Sequence, residues 1–313
     1  MADVITVGEI LVEIMREKMG LGLSKPGKFL GPFPSGAPAI FTDAVVRLGT
    51  SARIVGGVAN DEFGKCILNR LEEDGVDTKY IREVDYPSTG TAFVSYFSDG
   101  SRKFIYHMEN SAAGIITEED IKEKFVKNAK ALHLSGSAIA MSKNMRSACK
   151  KAIEIAKDSG TIVSFDPNIR PALLKNSEIE TVFSFAKESS DLLIPSTEEL
   201  ETITGENIEE NAVKKLLENS KLVALKDGGK GCRLYTKDEK VETDAFEVEE
   251  VDPTGAGDAF SAGIVVGWLE NKNLKELSVF SNAVGANAVT KMGPMEGLAW
   301  REDIDLMVEE KRK

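Results

Sequence analysis

The stretch Val251-Asp252-Pro253-Thr254-Gly255-Ala256-Gly257-Asp258-Ala259-Phe260 reads as the end of a strand, a turn of small residues and the beginning of a helix over 258–270. Because residues 255–257 carry almost no side chain, an anion can approach their backbone N–H groups closely. The N-terminus of the helix adds a partial positive charge at the same point. A plain tight turn would explain Gly-Ala-Gly alone, but the complete string between two aspartates indicates an anion hole with Asp258 beside it.

This arrangement supplies what phosphoryl transfer needs: a base that takes the proton of an acceptor hydroxyl, and donors that stabilise charge on the phosphoryl group. We predict that Asp258 is the catalytic base rather than only an N-cap of the helix. The backbone N–H groups of Gly255, Ala256 and Gly257 would be the donors.

Short apolar runs alternate with helical patterns along most of the chain. This alternation predicts a mostly parallel sheet covered by helices on both faces, an α/β fold in which ligands bind at the carboxyl ends of the strands. Strands are expected at 4–7, 52–57, 131–135, 161–166, 192–195 and 222–226, with helices between them.

The pattern differs in two segments. Residues 10–33 are rich in turn residues, and Gly90–Phe97 and Arg102–Met108 are aromatic and β-branched runs joined by Ser98–Ser101, which is a hairpin signal. We predict that segments 10–33 and 90–108 form a small β lid on a single domain of residues 1–313. The aromatic residues of the hairpin predict that two lids dock in a homodimer.

Composition excludes several classes of protein. The net charge of −12 argues against nucleic acid or an anionic membrane as a partner. Three widely spaced cysteines indicate neither a disulfide framework nor a zinc site. Residues 1–15 do not resemble a signal peptide and no apolar run is long enough to span a bilayer, so we expect a cytoplasmic protein. The absence of G-x-G-x-x-G after the first strand argues against a dinucleotide oxidoreductase.

Three motifs, which occur along the chain in the family's order, resemble those of the ribokinase (PfkB) family of carbohydrate kinases. They are Asp252–Asp258, Pro34-Ser35-Gly36-Ala37-Pro38-Ala39 before a helix to Gly49, and Asp166-Pro167-Asn168-Ile169-Arg170. With the flanking landmarks, the resemblance extends from Gly8 to about Gly297. It implies a ribokinase-like fold and ATP-dependent phosphorylation of a primary hydroxyl on a small sugar.

The resemblance also implies residues on the sugar side. Glu13 matches a first-strand acid that binds sugar hydroxyls in relatives, and Ile40 stands where relatives often have Asn. An Ile there either points into the core or makes the pocket wall apolar. The implied sugar-binding residues are Glu13, Gly36, Ala37, Tyr106, His107 and Arg170.

On the nucleotide side, Lys226-Asp227-Gly228-Gly229-Lys230-Gly231 resembles a loop that passes the ATP phosphates, although it also reads as a hairpin turn. It is not a P-loop, because Gly231 follows Lys230 where Ser or Thr is required. The implied nucleotide-binding residues are Lys226, Gly228, Gly231 and Asn282, the last beside the adenine.

The implied cofactors are ATP, Mg²⁺ and K⁺. Ser196-Thr197-Glu198-Glu199 stands at the place of an Asn-x-x-Glu element linked to magnesium, with Glu199 as the acidic member. The same four residues also fit a capped helix start. Asp252 and Thr254 stand where the backbone of relatives helps to hold a monovalent cation.

Within the family, Glu13, His107 and the variant Pro34–Phe41 favour a ketohexose kinase of the tagatose or fructose type. A 2-keto-3-deoxygluconate kinase is the alternative. A nucleoside kinase ranks lower because no purine-stacking platform is evident on the acceptor side. A non-catalytic sugar or nucleotide sensor also ranks lower because it would not need Asp258.

Overall fold

The computed structural model describes residues 2–98, 100–108, 110–168 and 174–312. The strands are β1 Val4–Val7, β2 Leu11–Arg16, β3 Phe29–Ser35, β4 Ala52–Ala59, β5 Ile81–Val84, β6 Gly90–Tyr96, β7 Arg102–His107, β8 Ala131–Ser135, β9 Ile162–Asp166, β10 Leu192–Leu193, β11 Leu222–Lys226, β12 Cys232–Tyr235 and β13 Lys240–Thr243. The helices are α1 Ala37–Arg47, α2 Glu62–Glu73, α3 Glu123–Lys127, α4 Gly136–Met141, α5 Lys143–Ser159, α6 Ser177–Ser189, α7 Leu200–Thr204, α8 Glu209–Leu216, α9 Ala256–Leu269, α10 Leu274–Ala288 and α11 Arg301–Arg312.

Nine strands form the large sheet, in the order β13-β12-β11-β10-β9-β8-β1-β4-β5. All neighbours from β11 to β5 pair in parallel, and only β12 and β13 are antiparallel. The interior strand β1 is buried along its whole length, as expected where helices cover both faces. The predicted mostly parallel sheet is confirmed.

The core consists of two layers, one on each face of this sheet. Side chains of a strand alternate between its faces, so Leu192 packs in one layer and Leu193 in the other. The first layer contains apolar residues of α1, α9 and α10, and the second contains those of α5 and α6. Helices therefore cover both faces, which leaves the carboxyl ends of the strands as the place for a site.

A second, separate sheet has four strands in the order β3-β2-β6-β7. The hairpin β6–β7 is antiparallel as predicted, whereas β2 and β6 pair in parallel. Residues 17–28 form a loop between β2 and β3, and the Arg16 guanidinium holds it by donating to the Lys25 carbonyl at 2.8 Å. That both sheets belong to one domain stays a prediction.

The expectation that a strand ends at Val251 is wrong. The backbone N–H groups of Val251 and Asp252 both donate to the Val289 carbonyl, at 2.8 and 3.1 Å, just after the end of α10. These residues therefore pair with a helix end and not with a strand. No helix in the described part of the chain is long and apolar enough to cross a membrane.

Candidate active site

The site lies at the carboxyl edge of the large sheet, where several strands end beside the N-terminus of α9. Asp166 is the last residue of β9, and Lys226 is the last residue of β11. Asp258 lies in the first turn of α9. The topology therefore brings together residues that are far apart in the sequence.

The turn before α9 has the geometry expected of an anion hole. Gly255 has a φ of 83°, and a Cβ there would lie 2.4 Å from the Pro294 carbonyl oxygen, so only glycine fits without movement. Gly255 occupies the N-cap position, and no side chain in the described part of the chain caps the helix. Asp258 is therefore not the cap, and the N–H groups of the first turn have no side-chain acceptor among the described residues.

Lys226 brings a cation to this turn. Its Nζ lies 3.5 Å from where a Cβ of Gly257 would be, and it donates to Asp166 Oδ2 at 2.5 Å. Asp166 Oδ2 also accepts from the Ser261 hydroxyl at 2.9 Å. The lysine is thus fixed on one side by a buried carboxylate and lies against the turn before α9 on the other.

The charges around Lys226 keep it protonated. Burial lowers the pKa of Lys226, but the Asp166 carboxylate, followed by those of Glu199 and Asp258, outweighs burial and raises it. Burial raises the pKa of Asp258 well above its usual range, and the Asp166 carboxylate raises it further while Lys226 opposes the shift. A carboxylate with a raised pKa is a better proton acceptor once ionised, as a general base requires.

Glu13, which the sequence predicts to bind the sugar, is almost fully buried. Its Oε1 accepts from the Ser35 hydroxyl at 2.7 Å, whereas its buried Oε2 has no partner among the described residues. Burial raises the pKa of Glu13 to about 7. A ligand hydroxyl is the kind of donor that would satisfy Oε2.

Strand register decides which neighbours face Glu13. Glu13 pairs with Ala92, and Ala92 pairs with Tyr106, so all three share one face of the small sheet. His107 pairs with Thr91 and lies on the opposite face. There its ring packs edge-on against Phe93, with 6.1 Å between the ring centroids. The structure therefore places Tyr106 on the same face of the small sheet as Glu13, two strands away, and His107 on the other face.

The turn Gly36–Ala37 at the beginning of α1 approaches the same region. Gly36 has a φ of 108°, and a Cβ there would lie 2.5 Å from the Glu9 carbonyl oxygen. Ile40 is 2% exposed and packs in the first core layer, and its Cγ2 lies 3.2 Å from where a Cβ of Gly255 would be. Ile40 therefore packs from the core against the turn before α9. Arg170 lies outside the described residues.

The nucleotide-side loop is a tight connection between β11 and β12, so the hairpin interpretation holds. Gly228 and Gly231 have φ values of 52° and 104°, and a Cβ on Gly231 would lie 2.0 Å from the Thr243 carbonyl oxygen. The Asn282 amide donates to that carbonyl at 3.1 Å and joins α10 to the end of β13. Contact of these residues with ATP stays a prediction.

The residues predicted to hold cations have protein partners of their own. Glu199 Oε2 accepts from the backbone N and the hydroxyl of Ser196, at 2.7 and 3.0 Å, which completes the capping box. The Asp252 carboxylate accepts from the N–H groups of Thr254 and Gly293, at 3.0 and 2.9 Å. Among the described residues, no three His, Cys, Asp or Glu side chains form a metal cluster by themselves.

Four residues of the site were not identified from the sequence as site residues. Asp166 positions Lys226, while Tyr96 and Arg102 contact Thr254 at 2.9 and 3.5 Å. Glu9 is 3% exposed and accepts from the Ser137 hydroxyl at 2.6 Å, and its Oε2 has no partner among the described residues. A sequence pattern that could have identified two of them is an acidic residue at the end of an apolar strand, which both Glu9 and Asp166 show.

The fold and the site together define a phosphoryl-transfer enzyme of the α/β class. The chain belongs to the pfkB family of carbohydrate kinases, whose model matches residues 1–301. It is 34% identical over 306 residues to fructokinase-2 of Zea mays, covering 94% of this chain and 90% of that protein. It is 33% identical to fructokinase-1 of Zea mays, covering 98% of this chain and 97% of that protein.

Solved structures agree with this assignment. An E. coli ribokinase-II-type protein in complex with ATP and Mg²⁺ is 38% identical, with a TM-score of 0.94 over 99% of this chain and 100% of that chain. A 2-dehydro-3-deoxygluconokinase from Thermotoga maritima is 24% identical, with a TM-score of 0.87 over 98% of each chain, and shows the shared fold. The protein is therefore an ATP-dependent carbohydrate kinase with a ribokinase-like fold.

Proposed function

We propose that this kinase transfers the γ-phosphoryl group of ATP to a primary hydroxyl of a ketohexose of the fructose or tagatose type. The observation that carries the proposal is the face of the small sheet on which Glu13 and Tyr106 lie together. A free buried carboxylate oxygen and a phenol are suited to the hydroxyls of a neutral sugar. The fructokinase relatives from Zea mays support the same sugar class.

In the proposed mechanism Asp258 accepts the proton of the sugar hydroxyl as its oxygen attacks the γ-phosphorus. The new O–P bond forms while the bond from the γ-phosphorus to the bridging oxygen breaks, and ADP leaves with that electron pair. The N–H groups of Gly255–Gly257 stabilise the charge of the transferring group, and Lys226 adds a full positive charge. Asp166 keeps Lys226 at that position.

Magnesium fits the acidic surroundings of Lys226. Carboxylate oxygen is the ligand type that Mg²⁺ prefers, and Asp166 Oδ1 is buried without a partner among the described residues. We propose that Glu199 and Asp166 would face a bound metal–nucleotide complex, in which magnesium would neutralise phosphate charge. For potassium, we propose only the backbone carbonyl oxygens of 252–254 as ligands, because protein donors already occupy much of the Asp252 carboxylate.

We expect kcat/KM to be at least about 10-fold higher for fructose or tagatose than for 2-keto-3-deoxygluconate at pH 7.5. Recognition of a carboxylate favours a fixed cation. His107 lies on the face opposite to Glu13, and the Arg102 guanidinium contacts the Thr254 hydroxyl at 3.5 Å. A coupled ADP-release assay measures all three sugars.

The controls for this prediction are Arg102→Met and His107→Ala. Neither variant should alter the ratio between neutral and acid sugars by more than about threefold. A clear preference for 2-keto-3-deoxygluconate that Arg102→Met or His107→Ala abolishes would make the acid sugar the substrate. A preference that survives both variants would point to Arg170.

We also propose that the small sheet forms a homodimer contact. Phe29 and Ile105 are exposed on it, and exposed apolar side chains on a four-stranded sheet favour association. Light scattering should give twice the mass of 34.0 kDa, and Ile105→Lys should shift the protein toward monomer. The matched control is Ile208→Lys on an exposed site elsewhere. A monomeric wild-type protein at about 10 μM would contradict the proposal.

A further inference from the structure

A chain of hydrogen bonds runs from the small sheet to the anion-hole loop. The Tyr96 hydroxyl lies 3.0 Å from Asp252 Oδ1 and 2.9 Å from Thr254 Oγ1. Arg102 pairs with Tyr96 across the β6–β7 hairpin, and its Nη1 lies 3.5 Å from the same Thr254 oxygen. Two side chains from one end of the hairpin thus meet one residue of the loop.

The direction of every hydrogen bond in this chain is fixed by the residues at its two ends, Arg102 and Asp252. Arginine can only donate, so Thr254 accepts from Arg102. An ionised aspartate can only accept, so the single proton of Tyr96 goes to Asp252. The Thr254 proton is then left for the Tyr96 oxygen. Each hydroxyl therefore both donates and accepts, and such chains strengthen each of their bonds.

The Asp252 carboxylate connects this chain to the backbone of the site. It accepts from the N–H groups of Thr254 and Gly293, so one side chain closes the turn and joins it to the segment after α10. Thr254 directly precedes Gly255, whose N-cap position begins the anion hole. A shift of Thr254 would therefore change the direction of the N–H groups that follow.

The other end of this hydrogen-bond chain lies near the proposed sugar site. Tyr96 lies on β6, which pairs with β2 through Ala92 and Glu13. Tyr96, Ala92 and Glu13 lie on the same face of the small sheet, because positions two or four apart in a strand share a face. One face of the small sheet therefore carries both Glu13, the proposed sugar ligand, and Tyr96, which contacts the loop.

We propose that Tyr96 is a positioning residue that holds the Asp252–Gly255 loop in the arrangement in which the anion hole is aligned for phosphoryl transfer. This inference rests on the proposed role of that loop in the kinase reaction. The Tyr96 hydroxyl contacts Asp252 and Thr254, and its effect on the reaction passes through them. Its loss therefore affects turnover and leaves the binding of both substrates nearly unchanged.

The test is a double-mutant cycle with Tyr96→Phe and Thr254→Val, measured with the sugar that gives wild-type enzyme its highest kcat/KM. Each single variant should lower kcat about 10- to 100-fold and change KM for sugar and ATP by less than about threefold. The double variant should lower kcat no further than the worse single variant does, because both substitutions break the same chain of hydrogen bonds. Thr254→Ser keeps the hydroxyl and should retain most activity.

Tyr86→Phe is the matched control, since Tyr86 is 88% exposed and the same atom is removed. A wild-type kcat in Tyr96→Phe would overturn the proposal, as would losses that multiply in the double variant. Equal loss in Thr254→Ser and Thr254→Val would also overturn it, because the hydroxyl would then be irrelevant. A substrate other than a ketohexose would reject the proposed function but leave this cycle interpretable, since the assay uses the preferred sugar.

Discussion

Asp258→Asn is expected to lower kcat by about 10²–10⁴-fold, because a missing general base costs about this much. Asparagine has the same shape but cannot accept the proton of the sugar hydroxyl at neutral pH. ATP affinity, measured by calorimetry, should change by less than about threefold, because Asp258 does not cap α9 and its replacement leaves the turn intact. A coupled ADP-release assay measures the loss of turnover.

Asp303→Asn is the matched control, because Asp303 also lies in the first turn of a helix, α11, and is exposed. It removes the same charge near a helix N-terminus without touching the site. Near wild-type turnover in Asp258→Asn would remove Asp258 from the mechanism and favour a non-catalytic sensor. Equal losses in both variants would indicate a general effect of removing an acidic side chain from a helix N-terminus, and not the loss of a base.

The pH dependence of kcat/KM for the wild-type enzyme should also report the ionisation of Asp258. The pKa of Asp258 is raised in the free site, chiefly by burial. The ionised form acts as the base, so kcat/KM should fall as the pH is lowered through this raised pKa. Glu13, whose pKa is about 7, would weaken sugar binding over the range near neutrality as it becomes protonated. The acidic limb should be altered in Asp258→Asn.

Lys226→Met is expected to lower kcat by about 10²–10³-fold, which is the usual effect of losing one group that stabilises transition-state charge. The variant also leaves Asp166 buried without its cation, and removing one partner of a buried ion pair destabilises a protein by about 3–5 kcal/mol. Thermal unfolding should therefore show a lower Tm. The assay and the melting curve report the two effects separately.

The double variant Lys226→Met with Asp166→Asn separates catalysis from stability. It removes the unpaired charge, so the Tm should largely recover while kcat stays low. Lys230→Met is the control on the same loop, because the Lys230 side chain is 82% exposed and should change neither quantity. Recovery of kcat together with the Tm would show that Lys226 is structural and would leave the anion hole without its proposed cation.

The sequence predicted the elements whose signals are local. The alternation of apolar strands and helices follows from burial of β1 and its neighbours on both faces, and it indicated the parallel sheet. The hairpin β6–β7 was evident from its turn and its β-branched residues. The strand expected before Pro253 was wrong, because Val251 bonds to the Val289 carbonyl, which no local pattern encodes.

The same division applies to the candidate site. Gly255 and Asp258 were identified because a small-residue turn and a helix N-terminus are encoded in consecutive residues. The Lys226–Asp166 pair was not, since its members are 60 residues apart and meet only because β9 and β11 end at one edge of the sheet. Tyr96 and Thr254 are 158 residues apart and meet only through the placement of the small sheet.

By itself the sequence determined the class of fold, the turn before α9 and the position of Asp258, because each depends on steric and hydrogen-bonding properties of neighbouring residues. Tertiary structure alone decided which of Tyr106 and His107 lies on the same face of the small sheet as Glu13. Adjacent residues of a strand point to opposite faces, and only the pairing of β7 with β6 and of β6 with β2 fixes which face meets the site. It also placed Lys226 beside Gly257, because long-range strand order is set by packing of the whole core.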